Sequence, residues 1–241
     1  LATDKEYQGT LTVGLADETG AADNITFVLA DTDGDNDVNA TLKIGTGTTT
    51  ITTGVESITV QASTDGTANN ATLDLSSMGA ATVNVTKGNA TEVIALGTVN
   101  KNTTKIDASA FDGLLSVTGG AAATTLDLKV GSSSNTITLG AANDTMTVAS
   151  LVSEDADAGA GTDSLTATVK ASLTEATANF ENITYSIANN VQATVTGANG
   201  KGIDTATTFK LIGGDSLSTY AHDLVSPAAL TAYDMSGFTG A

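Results

Sequence analysis

The sequence predicts an all-β chain with a short-stranded solenoid through its middle, and three observations carry that prediction. Runs in which every second residue is apolar recur along nearly the whole chain, as in ITFVLA, ESITVQA, ATVNVT and SLTATVK. A period of two is that of a strand with one buried face. From Leu73, the first inward residues fall at Val83, Ile94, Ile106, Leu115, Leu126, Ile137 and Met146, at intervals of 10, 11, 12, 9, 11, 11 and 9 residues. Strands at so steady a spacing belong to a sandwich or a solenoid. Aromatic content decides between them: Phe and Tyr total 4% and there is no Trp. That is thin for a sandwich core but suits rungs of Val, Ile, Leu, Ala and Thr that pack only on their neighbours. Solenoid-like rungs are expected at about 70–148, with sandwich-like sheet segments flanking them.

In chain order, LTVG at 11–14, ITFVLA at 25–30 and VNATLKI at 38–44 read as the opening strands. ESITVQA at 56–62 and ATLDLS at 71–76 lead into the regular middle, continued by ATVNVT at 81–86, LLSVTG at 114–119 and TTLDLKV at 124–130. SLTATVK at 164–170, ITYSI at 183–187, VQATVTG at 191–197 and TTFKLIG at 207–213 close the series.

Two consecutive nine-residue stretches in the middle echo one another. Val130–Thr138 reads VGSSSNTIT and Leu139–Thr147 reads LGAANDTMT, so Gly131 recurs as Gly140, Asn135 as Asp144 and Ile137 as Met146. A third copy, AGAGTDSLT at Ala158–Thr166, is displaced by an insertion of ten residues. The layout approaches G-G-x-G-x-D-x-U-x, the calcium-binding repeat of parallel β-rolls. Its glycines let the loop turn its carbonyls inward, its Asp supplies an anionic oxygen and its apolar residue fills the roll. The third copy matches best, with Gly159, Gly161, Asp163 and Leu165 in register, whereas Ser or Ala replaces the fourth-position Gly of the first two. Asn135, Asp144 and Asp163, with the loop around Gly159 and Gly161, are therefore candidate calcium ligands.

A second acidic cluster sets Asp31, Asp33, Asp35 and Asp37 at alternate positions between ITFVLA and VNATLKI. A loop curling around a cation can bring alternate Asp residues together, as in EF-hand loops. Here Asn36 and Leu42 stand where that motif needs Gly and Glu, so a hairpin loop binding one calcium and a solvated acidic turn remain open. Glu56 and Glu181 hold matching places on strands, which points to structural hydrogen bonding before metal ligation.

Longer repeats divide the chain. VESITV at 55–60 resembles FENITY at 180–185, IDASAFDG at 106–113 resembles YDMSGFTG at 233–240, and ADNIT at 22–26 resembles TDSLT at 162–166. The order suggests two diverged modules, 1–150 and a truncated 151–241, the D-x-S-x-F-x-G element being a turn. With Leu1 at the start and a repeat cut short at its end, the sequence reads as a piece of a larger protein.

Composition excludes several functions. With 27 acidic residues, nine Lys and no Arg, the net charge is −18, which repels nucleic acid and anionic membrane alike. No run of 18 apolar residues exists for membrane insertion, and the chain has no Cys, as in cytosolic proteins or secreted bacterial ones that use metal in place of disulfides. His222 adjoins Asp223, with Ser216 and Ser218 near in sequence, but a triad is a spatial arrangement that adjacency does not establish.

GAGTDSLT, the GVESITV and NFENITY strands, LDLSSMGAATVNVTKG and the Ala/Thr/Gly-rich, Cys-free composition together resemble the RTX-type surface-layer proteins of Gram-negative bacteria. The resemblance implies type I export, calcium-dependent folding, assembly with copies of itself as a lattice at the cell surface, and no enzymatic activity. Contact with cell-surface polysaccharide would belong to parts of the parent outside this sequence. Two alternatives share its features: a repeat segment of a calcium-stiffened adhesin, and a β-helical polysaccharide-active enzyme, which the lack of Arg and Trp disfavours.

Overall fold

The computed structural model describes residues 24–28, 41–43, 56–62, 71–75, 81–88, 90, 92–99, 103–118, 126–131, 135–151, 155–174, 176–196, 201–223 and 230–240. The strands run, in chain order, β1 (Asn24–Val28), β2 (Thr41–Lys43), β3 (Ser57–Ala62), β4 (Ala71–Asp74), β5 (Thr82–Lys87), β6 (Val93–Thr98) and β7 (Lys105–Phe111). Next come β8 (Leu114–Thr118), β9 (Asp127–Val130), β10 (Thr136–Thr138), β11 (Thr145–Leu151), β12 (Asp155–Asp157) and β13 (Ser164–Val169). The series ends with β14 (Leu173–Thr174), β15 (Asn182–Ile187), β16 (Gln192–Thr196), a 3-10 turn (Gly202–Thr205), β17 (Thr208–Gly213), β18 (Thr219–Asp223) and β19 (Ala232–Phe238).

All odd-numbered strands lie side by side in sequence order in one ten-stranded sheet. The even ones form a six-stranded sheet, β2 to β12, and a three-stranded sheet, β14 to β18. Neighbours pair in parallel, as β9 does with β11 and β8 with β10. The chain therefore crosses from the long sheet to the opposite one and back in every coil: a parallel β-solenoid. The ten-residue spacing in the sequence is half a coil, because successive inward residues sit on alternate sheets, Leu73 on β4, Val83 on β5 and Ile94 on β6. All eight residues of that series are buried, Leu126 being the most exposed at 4%. Removing apolar area from water at about 25 cal/mol per Å² is what drives such a stack together.

The solenoid extends beyond 70–148. The places expected for flanking sheet segments are taken by β1 and β3 on one side and β13 to β19 on the other, with every odd-numbered strand among them in the long sheet. The position between residues 150 and 151 falls within the β11–β13 pairing, where Thr145 to Val148 align with Ser164 to Ala167. The opposite sheet does break nearby, a single bridge from Asp157 to Ala178 lying beyond β12.

Coil length varies along the stack. Thr104 lies one coil after Ala81, to whose carbonyl it is bonded, and 23 residues further on. The step then shrinks: Leu126 to Asp144 is 18 residues, Asp144 to Asp163 is 19, and Asp163 to Glu181 is 18. It widens again to 26 residues between Asn182 and Thr208 and 24 residues between Thr207 and Thr231. The narrow coils bury Ala156, Ala158 and Ala167 but also one large ring, Phe180, and the wider ones bury Phe111, Tyr185 and Phe209. Tyr185 meets Phe209 edge-on with ring centroids 5.5 Å apart.

The two D-x-S-x-F-x-G segments end β7 and β19 as bulged strands. Asp107 Oδ1 accepts from Ser109 N at 3.2 Å and Ser109 Oγ at 2.6 Å, and Asp234 Oδ1 accepts from Ser236 N at 2.9 Å. Each side-chain bond accompanies a register shift against the preceding strand, the expected result of one unpaired extra residue. The shift turns Phe111 onto Gly88 and Phe238 onto Gly214, glycines at φ +92° and +75° where any Cβ would strike the ring. Sequence alone reads a turn here; the structure shows a strand end closed by an aromatic ring.

Candidate functional site

Every strand of the long sheet begins at the same corner, and the residues just before β9, β11, β13 and β15 are Leu126, Asp144, Asp163 and Glu181. Backbone bonds tie each coil to the one before: Thr145 N donates to Leu126 O, Ser164 N to Asp144 O and Asn182 N to Asp163 O, all at 2.9 Å. The corner residues' own N–H groups need other acceptors, since a buried amide left unpaired is costly. Side chains from the following coil provide them. Asp144 Oδ1 accepts from Leu126 N at 2.7 Å, Asp163 Oδ1 from Asp144 N at 2.6 Å and Glu181 Oε2 from Asp163 N at 2.7 Å. Asp144 Oδ2 also accepts from Gly140 N at 3.2 Å. At the opposite corner Asn135 Oδ1 accepts from Leu115 N at 2.9 Å. Bonds this short with an ionised acceptor are the stronger class.

The second and third nonapeptide-like copies lie directly on one another. Ala160 N donates to Gly140 O at 3.1 Å and Thr162 N to Asn143 Oδ1 at 2.9 Å. Gly159 and Gly161 have φ of +85° and +149°, and a Cβ on either would collide with the carbonyl of Gly140 or Ala142 beneath. The ten residues separating the copies complete the coil, carrying the end of β11 and all of β12. The first copy, ending in Asn135 and β10, occupies the opposite side for the same reason: nine residues are half a turn.

Within this corner Asp163 stands apart. It has no solvent exposure, and its Oδ2 has no hydrogen-bond partner. Burial pushes its carboxyl above the ordinary range against the Asp144 N–H bond, and the charges of Glu181 and Asp144 push the same way. Such an atom is matched by a proton or a cation.

The candidate ligands thus divide. Asn135 Oδ1 and both Asp144 oxygens hold backbone N–H groups, while Asp163 offers one oxygen facing no donor. Calcium takes six to eight oxygens, so carbonyls and water would have to complete its shell there. Among the described residues no three acidic or His side chains converge. Asp31, Asp33, Asp35 and Asp37 lie outside the described residues. Glu56 sits at the long-sheet corner before β3, where its carbonyl accepts from Ala81 N and Thr82 N at 3.1 Å. Ser218 Oγ is engaged by Asp215 Oδ1 at 2.9 Å and by Ala188 O at 3.3 Å.

Sequence reasoning missed the column linking Asp144, Asp163 and Glu181. Its signal was present as acids spaced 19 and 18 residues apart, which is two nonapeptides, or one coil. Fold and site define the class: a parallel β-solenoid with carboxylate-capped corners. Comparison with protein-family models, with curated proteins and with solved structures returned no match.

Proposed function

We propose that this chain is a structural segment of a calcium-ordered bacterial surface layer of the RTX type, built to assemble with copies of itself outside the cell. The observation that supports it most is the unmatched, buried Asp163 Oδ2 between two stacked nonapeptide-like loops. Calcium there would supply the positive charge that a buried carboxylate beside Asp144 and Glu181 calls for. In that arrangement Asp163 Oδ1 stays on Asp144 N, Oδ2 becomes the ligand, and Gly159 and Gly161 keep the loop backbone close to the coil below.

Net charge supports the reading from a second direction. At −18, separate copies repel across about 8 Å at physiological salt. Neutralising carboxylates reduces that barrier, and contacts repeated over a lattice then add through multivalency. Polysaccharide anchoring would fall to other regions of the parent protein, and this segment itself is assigned no reaction.

Calorimetric titration tests the ion. Extracellular-type sites bind calcium at roughly 10⁻⁴–10⁻³ M, which stabilises a fold by about 0.4–1.4 kcal/mol per site at millimolar calcium. Calcium should bind in that range, magnesium should not replace it, and Asp163→Ala should abolish the heat. Unchanged binding in that variant removes Asp163 as ligand. Electron microscopy of the full-length parent tests the array: calcium should produce ordered two-dimensional sheets. A parent that stays monomeric and binds a host receptor is an adhesin, and one that depolymerises a polysaccharide is an enzyme.

A further inference from the structure

The outer face of the long sheet is electrically unlike the rest of the chain. Its charged outward-alternating positions are Lys105, Asp107, Asp127, Lys129, Lys210 and Asp234. Three Lys and three Asp sum to zero. The other six of nine lysines and 24 of 27 acids therefore carry the whole −18. Elsewhere this face presents Ser, Thr, Asn and similar uncharged residues, as in Thr145 and Thr147 on β11 or Thr166 and Thr168 on β13.

Four of the six charges form a square. Lys105 pairs in register with Asp127, and Asp107 with Lys129. Along β7, Lys105 Nζ is 3.9 Å from Asp107 Oδ2. Like charges thus occupy the diagonals. Burial raises the Asp107 carboxyl, but the Ser109 hydrogen bonds and the charges of Lys129 and Lys105 outweigh it and leave the group below its ordinary range. The square is an interacting unit.

We infer that this face is a contact surface for a second copy of the chain, joined face to face about a two-fold axis lying in the plane between them. With the axis along the solenoid, Lys105 of one copy lies over Asp107 of the other and Asp127 over Lys129. With the axis along the strands, Lys105 lies over Asp127 and Asp107 over Lys129. Either way all four positions meet opposite charges, the self-complementarity that an isologous contact requires. With the axis along the solenoid, nine inter-strand steps of about 4.8 Å by strands of about 17 Å give roughly 700 Å² per copy, close to the ~800 Å² per partner of stable interfaces. The residues outside this face sum to −18, so contacts made through them work against net repulsion.

The inference rests on the self-assembly reading and is tested apart from it. Sedimentation velocity at low salt would compare the chain with two variants, each checked for an unchanged thermal melt. Lys105→Asp with Lys129→Asp makes the square wholly negative and should weaken self-association at least tenfold. Inverting the square with Lys105→Asp, Asp107→Lys, Asp127→Lys and Lys129→Asp should restore self-association to within a few-fold of the original. In a mixture, the inverted chain should not be captured with an affinity-tagged original chain, because each position then meets its own sign. Full association of the all-negative variant, or free mixing of the inverted one, overturns this face while leaving array formation standing. A chain that stays monomeric at millimolar concentration also overturns it, whereas the array reading falls only if the full-length parent forms no calcium-dependent sheets.

Discussion

The narrow coils between Asp127 and Asn182 and the wider coils on either side solve the same problem with different chemistry. A coil of 18 or 19 residues leaves little chain for each turn between sheets. Short planar acceptors, Asn135, Asp144 and Asp163, close its corners by reaching backbone N–H groups directly. In the steps of 23 and 24 residues that lead into β7 and β19 the strand bulges, and a phenylalanine packs on glycine there, Phe111 on Gly88 and Phe238 on Gly214. Along the long sheet the narrow coils show side-chain-capped corners, and the bulged strands β7 and β19 show a ring packed on glycine. The two should fail differently.

The largest effect should come from a wide coil. Phe111→Ala removes a ring that is 1% exposed and should cost about 3–5 kcal/mol through the cavity left behind. It is read as a lower urea midpoint at constant slope. Phe238→Ala should cost less, because Phe238 is only partly buried on the last strand of the sheet. Equal losses at the two sites would remove the packing explanation.

Corner substitutions in the narrow coils come next. Asp144→Ala strands the N–H groups of Leu126 and Gly140, at about 1–3 kcal/mol for a buried orphan. Asp144→Asn keeps an acceptor and should recover most of the loss. Hydrogen exchange at Leu126 would report the broken corner directly; continued protection in Asp144→Ala would show that another group caps it.

Asp163 should reverse that sign. In chelator at neutral pH, Asp163→Asn keeps the bond from Asp144 N but removes an unmatched buried charge. It should raise the melting temperature by a few degrees, about 2–4 °C per kcal/mol in a chain of this size. Calcium should erase the advantage. Acidity separates the regions again. The folded Asp163 carboxyl lies above the ordinary 3.8, so its protonation favours the fold fully below that value, and this contribution is lost as pH rises through the raised one. Asp107 lies below 3.8, so its contribution is present above that value and is lost as pH falls through the lower one. A melt of Asp163→Asn with the same pH dependence as the parent would count against the burial argument. The smallest effect belongs to Lys210→Ala, which removes an exposed ion pair of 3.5 Å with Asp234 and should leave the urea midpoint unchanged within error.

The half-coil was legible in the sequence because apolar side chains have nowhere else to go: Leu73 through Met146 mark each inward step. The spacing alone fits hairpins and coils equally; the aromatic-poor core pointed to coils, and the register that joins Thr145 to Ser164 is that of a coil. The nonapeptides located the corner at Asp144 and Asp163, but their type does not say which oxygens the backbone will occupy. The ten residues before the third copy read as an insertion, because a half-coil built on DAD at 155–157 carries no glycine signature. Lys105, Asp107, Asp127 and Lys129 become neighbours only once β7 is known to pair with β9 in that register.

Four side-chain bonds at the two corners share a direction, although Thr162 N donates the other way, to Asn143 Oδ1. Asn135, Asp144, Asp163 and Glu181 each accept from a residue 18 to 20 positions earlier, while the main-chain bonds beside them run from later N–H to earlier carbonyl. Folding from the N-terminus therefore leaves each new coil with a bare amide until its successor arrives. Folding from the C-terminus holds a carboxylate ready, and each incoming coil brings the amide that fits it. These four bonds thus leave a coil at one end of the series with an open amide and a coil at the other with an open side-chain acceptor.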